Sequence, residues 1–290
     1  MSRVTKKTTV VRVGGARPRA MRTDTLAVEE PLEVRVGGEP LITTMRTPGH
    51  DIELVHGFLF SEGIISRASD VIAARYCGGA DSSAVTLSGP AKNFGSDALG
   101  EQVLAHTNTY NVLSVTLPQG SEVARLRRNF TANSSCGVCG TATIAQVMEK
   151  RKAPVTPLQV DPALVVRIPD LLRQSQKMFV QTGATHATGL FNQAGELLIL
   201  REDVGRHNAT DKVIGAALMQ GVDLSDKILG FSSRASFEMI QKTMTAGVPA
   251  AVAISSATSL AVELARECDI FLAGFVRGNE FNVYSGRLTP

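Results

Sequence analysis

Apolar residues in this chain follow several successive patterns, and each predicts a different kind of element. From Glu33 they alternate with polar ones through Val34 and Val36, break at Gly37-Gly38 and resume at Leu41-Ile42. That pattern predicts a hairpin closed by a glycine turn. Leu54, Val55, Phe58 and Leu59 then recur at helical spacing. The helix is expected to begin around Thr47-Pro48-Gly49-His50-Asp51, since proline is tolerated in a first turn and Asp51 suits the positive end of the dipole. Gly63 is its expected stop. Shorter alternating runs at 84–87 and 112–117 complete a small α+β unit. Residues 1–22, rich in Arg, Lys, Thr and Gly, show no period and are expected to form a flexible tail.

The second half has another rhythm. Gly189-Leu190-Phe191 and Leu197–Leu200 flank an Asn192-Gln193-Ala194-Gly195 turn, a hairpin pattern. Ile228–Phe231 is a continuous apolar run, followed by Ser232-Ser233-Arg234-Ala235-Ser236 and then helical spacing at Phe237, Ile240 and Met244. The same order recurs: Ala250–Ile254, then Ser255-Ser256-Ala257-Thr258-Ser259, then Leu260, Val262 and Leu264. Alternating strands and helices argue for a layered α/β domain. The expected organisation is α/β, with a smaller N-terminal α+β domain over 23–130, a Cys-containing loop and its following segment over 131–152, and a C-terminal α/β domain over 153–290. The weakly polar stretch Val248–Ala265 contains Ser, Thr and Glu263 and divides into strand and helix, so no membrane span is expected.

Composition narrows the functional classes. Thirty basic against 27 acidic residues leave a net charge of +3, so any anion-binding face must be local. Without Trp, the aromatic platforms of single-strand binders are missing too, and no nucleic-acid partner is expected. Four cysteines and no apolar leader point to a reducing compartment, the cytoplasm, where thiols do chemistry or bind metal rather than staple the fold.

Ser135-Cys136-Gly137-Val138-Cys139-Gly140 is the clearest chemical constellation. A Cys-x-x-Cys arrangement favours thiolate, the nucleophilic form, and the flanking glycines let the backbone swing. A sulfur carrier needs such a loop. A structural zinc site completed by Cys77, Cys268 or a histidine, and a thioredoxin-like dithiol, compete with that reading. An iron–sulfur ligand set would need a second Cys pair, which the sequence lacks. Cys268 reads as core. The tandem Ser-rich turns, with Ser232, Ser233, Arg234, Ser255 and Ser256, offer hydroxyls and backbone N–H groups at helix starts; they suit an anionic ligand or simple N-capping. Thr182-Gly183-Ala184-Thr185-His186 and Glu202-Asp203-Val204-Gly205-Arg206-His207-Asn208 form a further cluster. Antiparallel pairing would bring His186 near Asp203 and His207, as a proton shuttle, a loop-positioning group or a local cap.

Taken in order, these motifs resemble the signatures of the formate dehydrogenase accessory sulfurtransferase family, FdhD. Thr47-Pro48, Gly57-Phe58-Leu59, Ser61-Glu62-Gly63-Ile64 and Asn282-Val283-Tyr284 add to the resemblance. It implies a cytidine deaminase-like C-terminal domain, a homodimer, and transfer of sulfane sulfur from a cysteine desulfurase to the molybdenum (or tungsten) bis-guanine-dinucleotide cofactor of formate dehydrogenase. That cofactor, Mo-bis(molybdopterin guanine dinucleotide), is then a bound substrate, and no resident catalytic metal is expected. The resemblance makes Cys136 the persulfide carrier and Cys139 its partner, and it assigns nucleotide contacts to Phe275, Val276, Arg277, Gly278, Asn279 and Glu280. Arg234 and Arg277 are candidates for phosphate pairing. The alternative is a cofactor or guanine-nucleotide chaperone without covalent sulfur transfer. Deamination is not expected: Ser135 replaces the proline before Cys136, and no His-x-Glu occurs.

Overall fold

The computed structural model describes residues 4–14, 19–77, 109–118 and 155–290. The 84–87 run and the 131–152 loop lie outside the described residues, and so do Cys136 and Cys139. So does all but the last residue of 93–109, a stretch that reads in the sequence as an insertion.

The chain starts with an antiparallel ribbon, β1 (Thr5–Val13) and β2 (Arg19–Ala27), paired from Thr5↔Ala27 to Val13↔Arg19. This corrects the expected tail. The ribbon lacks apolar alternation because neither face enters the core, and Val11, Val13 and Met21 are 59%, 73% and 75% exposed. A solvated ribbon leaves no periodic trace in a sequence.

The expected hairpin is β3 (Glu30–Val36) and β4 (Glu39–Arg46). Gly37 and Gly38 both have positive φ, 61° and 86°, which a two-residue turn matching the strand twist requires. Helix α1 (Asp51–Ser61) follows. It begins at Asp51, later than the Thr47-Pro48 reading, because His50 takes a left-handed conformation at the N-cap. Strands β5 (Ala73–Tyr76) and β6 (Val112–Thr116) complete a four-stranded sheet in the order β4-β3-β6-β5.

The larger layer starts with the short strand β7 (Gln159–Val160), then α2 (Pro162–Ser175) and α3 (Lys177–Thr182). Asp161 caps α2 by accepting from the Ala163 N–H at 2.8 Å, with Pro162 in the first turn. Then come β8 (His186–Phe191), β9 (Leu197–Asp203), α4 (Arg206–Gln220), β10 (Ile228–Phe231), α5 (Phe237–Thr245), β11 (Ala250–Ala253), α6 (Ser259–Glu267), β12 (Phe271–Arg277) and β13 (Glu280–Ser285). The sheet order is β13-β12-β11-β10-β8-β9, with β10, β11 and β12 parallel and β8 antiparallel to β10. A final strand, β14 (Arg287–Leu288), pairs with β7.

The continuous apolar runs have a simple cause. Along β10 to β12, successive residues serve opposite faces. Leu229, Phe231, Ala251, Ala253 and Leu272 join the core shared with α1, α4, α5 and α6. Ile228, Ala250, Val252, Phe271 and Ala273 join the core under α2. Both faces are covered, so every position is apolar. Val248–Ala265 is accordingly divided between β11 and α6, and no described helix is long and apolar enough to cross a membrane.

The small sheet is held to the large layer by α1 lying on α4. A Cβ on Gly57 would sit 1.8 Å from the Asp211 carbonyl oxygen, and one on Gly215 would sit 1.8 Å from that of Glu53. Each helix needs the other's glycine. Arg201 on β9 then clamps Glu53 on α1 through bonds of 2.5 and 2.8 Å. Burial pushes the Glu53 carboxyl up, but Arg201 and His50 outweigh it and hold the pKa at about 2.

Gly57→Ala and Gly215→Ala are each expected to destabilise by at least ~3 kcal/mol, the upper end of ordinary overpacking costs, because backbone rather than a flexible side chain is struck. Urea unfolding checks this, with exposed Met219→Ala as the control expected to stay within about 0.5 kcal/mol. Unchanged midpoints in both glycine variants would count against the close crossing.

Candidate functional site

The carboxyl ends of β10, β11 and β12 open on one edge of the large sheet. That edge also receives the start of β8, the end of β9 and the N-termini of α4, α5 and α6. In open α/β sheets this edge is where ligands bind.

The Glu202–Asn208 motif builds the frame of the edge. Asp203 is fully buried. Its Oδ2 accepts from Lys212 Nζ at 2.7 Å and from the Thr47 N–H at 3.1 Å. Its Oδ1 accepts from the Gly205 N–H at 2.8 Å and from Asn208 Nδ2 at 3.2 Å. Lys212, 1% exposed, also donates to the Thr47 carbonyl at 2.9 Å, and Asn208 donates to the Met45 carbonyl at 2.7 Å. The Thr47-Pro48 and Glu202–Asn208 motifs are therefore one knot. A second buried pair lies behind it: Lys242 donates to both oxygens of Asp211 at 2.8 and 2.9 Å, and Ser61 donates to Oδ1 at 3.1 Å. Burial nonetheless pushes the Asp211 carboxyl up against the pull of Lys242.

Register places His186 opposite Asp203, as antiparallel pairing required. The expected His–carboxylate relay between them is absent among the described residues, because the Asp203 carboxylate is already saturated by four donors. Glu238 is the carboxylate beside His207, at 3.8 Å. Burial, with Arg206, Lys242 and His186 nearby, drops the His207 pKa to about 4 despite Glu238. Such a ring is neutral at pH 7 and too weak a base to shuttle protons there. His186 is lowered as well, by burial and then Arg206. Arg206 is the residue that motif reading left without a role. Its Nε is buried with no hydrogen-bond partner among the described residues. A buried donor of this kind calls for an acceptor.

The tandem Ser-rich turns are joined. Ala235 and Ala257 form a parallel bridge, the Ala235 N–H donates to the Ser256 carbonyl and the Thr258 N–H to the Ala235 carbonyl, each at 3.0 Å. Ser232 Oγ accepts from the Ala187 N–H at 2.8 Å. Ser233 and Ser256 hydroxyls donate to the carbonyls of Arg234 and Ala257. Neither N-cap residue, Ser236 or Thr258, makes a side-chain cap bond, so simple capping does not account for these turns. Ser255 is half-buried and Arg234 exposed.

At the far end of the edge, Phe275 and Gly278 both have φ of 56°, and the Arg277 guanidinium lies 5.8 Å from the Phe275 ring. Phe275, Arg277, Asn279 and Glu280 line a cavity of about 560 Å³, while Val276 is 3% exposed and belongs to the core under α2. A second cavity of about 550 Å³ lies between α2, α3 and the strand ends, and His186 and Ser232 line it. Cys77 is half-buried, and Cys268 is buried in the core as its sequence context suggested.

Comparison with known proteins follows this geometry. The model of the FdhD/NarQ family matches residues 27–289. A protein of Corynebacterium efficiens named Sulfur carrier protein FdhD is 49% identical, over 99% of this chain and 100% of its own length. A Streptomyces coelicolor protein of the same name is 43% identical, over 99% of this chain and 95% of its own. A solved structure from Desulfotalea psychrophila, described as a formate dehydrogenase accessory protein, superposes with a TM-score of 0.70, covering 98% of each chain at 21% identity. That last likeness speaks to the fold.

Two outcomes are expected from the electrostatics. Lys212→Met should destabilise by about 3 kcal/mol or more, since it leaves the buried Asp203 charge uncompensated; thermal and urea unfolding measure it. For His207, the unfolded chain takes up a proton near pH 6.5 while the folded chain resists it until about 4. Stability is therefore intact above 6.5 and falls as pH drops through that window. An NMR titration should place the His207 midpoint near 4, and a midpoint at or above 6 would contradict the buried, neutral ring.

Proposed function

From membership of the FdhD/NarQ family, to which this chain belongs, we propose that it is a sulfur carrier that serves the maturation of formate dehydrogenase. The observation that carries this reading is the span of the family match, which takes in both Cys136 and Cys139 together with every motif of the ligand edge.

In the proposed reaction the Cys136 thiolate attacks the terminal sulfur of a persulfide on a cysteine desulfurase. One S–S bond forms, the donor's own S–S bond breaks, and the desulfurase leaves as thiolate. Cys136 then carries the persulfide. In the delivery step Cys139 attacks the Cys136 sulfur, forming a Cys136–Cys139 disulfide and expelling hydrosulfide toward the molybdenum of the bound bis-guanine-dinucleotide substrate. The carried sulfur is reduced as the two thiols are oxidised, and a dithiol reductant reopens the disulfide for the next cycle.

The edge suits the substrate's anionic ends. Arg206 offers a buried Nε without a partner among the described residues, three helices present their N-termini, and the Phe275–Glu280 turn lines an adjoining cavity. A hairpin followed by three parallel strands with helices between them supports reading this layer as cytidine deaminase-like. By the family resemblance we place the protein in the cytoplasm as a homodimer.

Incubation with a cysteine desulfurase and cysteine should add one sulfur atom, located on Cys136 by peptide mass spectrometry. Cys136→Ala should abolish both the added sulfur and formate dehydrogenase maturation. If the Cys136→Ala, Cys139→Ala double variant matured the dehydrogenase fully, the covalent route would be wrong and a cofactor chaperone would replace it.

A further inference from the structure

We infer that the β1–β2 ribbon is a docking surface for an extended, acidic segment of a partner protein, which adds to the outer edge of β1 as a third strand. The inference goes beyond the sulfur-carrier reading and does not depend on it.

Charge is the first observation. Residues 1–27 hold seven of the chain's 30 basic residues and one of its 27 acidic ones. The remainder, with 23 basic and 26 acidic, is net negative, so the positive balance of the protein sits entirely in the ribbon segment. The family match starts at residue 27, where the ribbon ends. The body shared with the family therefore gives no account of this charge.

The layout of the ribbon is independent of that count. Its strands form a two-stranded sheet of their own, and β2 rests on α3. The outer edge of β1 pairs with no further strand among the described residues. A nine-residue strand with one edge open turns backbone N–H and C=O groups outward, a template for another strand. Successive side chains take opposite faces. The register, with Val11 opposite Met21 and Val10 opposite Arg22, carries that sorting across to β2. One face thus presents Val11, Val13 and Met21, each more than half exposed at 59%, 73% and 75%. The other presents Lys6, Arg12 and Arg22, all exposed.

These two faces specify the occupant. A strand with acidic and apolar residues in alternation, laid beside β1, sets its carboxylates next to Lys6 and Arg12 and within the field of Arg22. Its apolar side chains then cover Val11 and Val13. Opposite-charge and apolar neighbours across a strand pair both stabilise it. A ribbon from a second copy of this chain would instead bring cation against cation. RNA would engage the cations and leave the apolar face in water. Segments that lie on a bilayer surface use Trp, Phe and Leu, whereas residues 1–27 contain no aromatic side chain and a single leucine. Helix α3, on which β2 rests, lines the second cavity through Phe179, so a partner held by the ribbon stands beside the ligand edge.

Fluorescence anisotropy of the full chain with a labelled peptide as long as β1, alternating glutamate and valine, tests the assignment. The Glu–Val peptide should bind and slow hydrogen exchange of the β1 amides, and a Lys–Val peptide should not bind. The triple variant Lys6→Glu, Arg12→Glu, Arg22→Glu should weaken Glu–Val binding about tenfold or more, since three favourable cross-strand pairs become repulsive. The same variant should take up the Lys–Val peptide, a gain that misfolding does not mimic. Val11→Asn with Val13→Asn should also weaken Glu–Val binding, which charge alone does not explain. No Glu–Val binding by the unmodified chain, or binding that leaves β1 amide exchange unchanged, would overturn the strand-addition site. Tighter capture of phosphatidylglycerol vesicles or of an RNA oligonucleotide would overturn the choice of partner. A sedimentation mass altered by the triple substitution would overturn it too, in favour of a contact between copies.

Discussion

Two helices in backbone contact set the geometry of everything else. Helix α1 belongs to the small sheet and α4 to the large one, and they approach so closely that Gly57 and Gly215 leave no room for a methyl group. Contact at that distance is costly to misalign, because carbonyl oxygens rather than adaptable side chains are the touching surfaces. The Arg201–Glu53 clamp and the Ser61–Asp211–Lys242 cluster fix the same crossing at its flanks. Helix α4 therefore enters the ligand edge at a set position, carrying Arg206 and His207 in its first turn.

The knot around Asp203 follows from that placement. A carboxylate taken entirely out of water must be matched donor by donor, and here Lys212, Thr47, Gly205 and Asn208 do so. Thr47 and Asn208 come from opposite halves of the molecule, so the bonds that satisfy a buried charge also lock the two sheets in register. The same accounting explains why Asp203 is no general base. Its lone pairs are spent on structure, and the histidine beside it in register is left to face the cavity instead.

How much of this could be read from sequence depends on whether a residue's role is local. The strands, their glycine turn and the two strand–turn–helix repeats were legible, since burial on one or both faces writes a period into the chain. The pairing of His186 with Asp203 was legible from the hairpin alone. The ribbon at Thr5–Ala27 was not, because none of its residues is buried in the core and no apolar period is imposed on it. Gly57 appeared within a motif, yet its partner Gly215 lies far along the chain, and only the fold brings them together. The same holds for Lys212 and Lys242, which look like ordinary helix-surface lysines in the sequence but are 1% and 7% exposed.

The charges at the edge decide what kind of ligand it can hold. Its buried carboxylates are each answered by a lysine, Asp203 by Lys212 and Asp211 by Lys242. Both histidines have their pKa lowered, so neither adds a proton's charge at neutral pH nor needs a counterion. Among the described residues that leaves the unpaired Arg206 Nε and the helix N-termini as positive features of the edge, with Glu238 near His207. The edge is thus set for anions without depending on a titrating group in the physiological range. A pH change around neutrality would therefore leave the charge of these histidines, and with it the pull of the edge on an anion, unaltered.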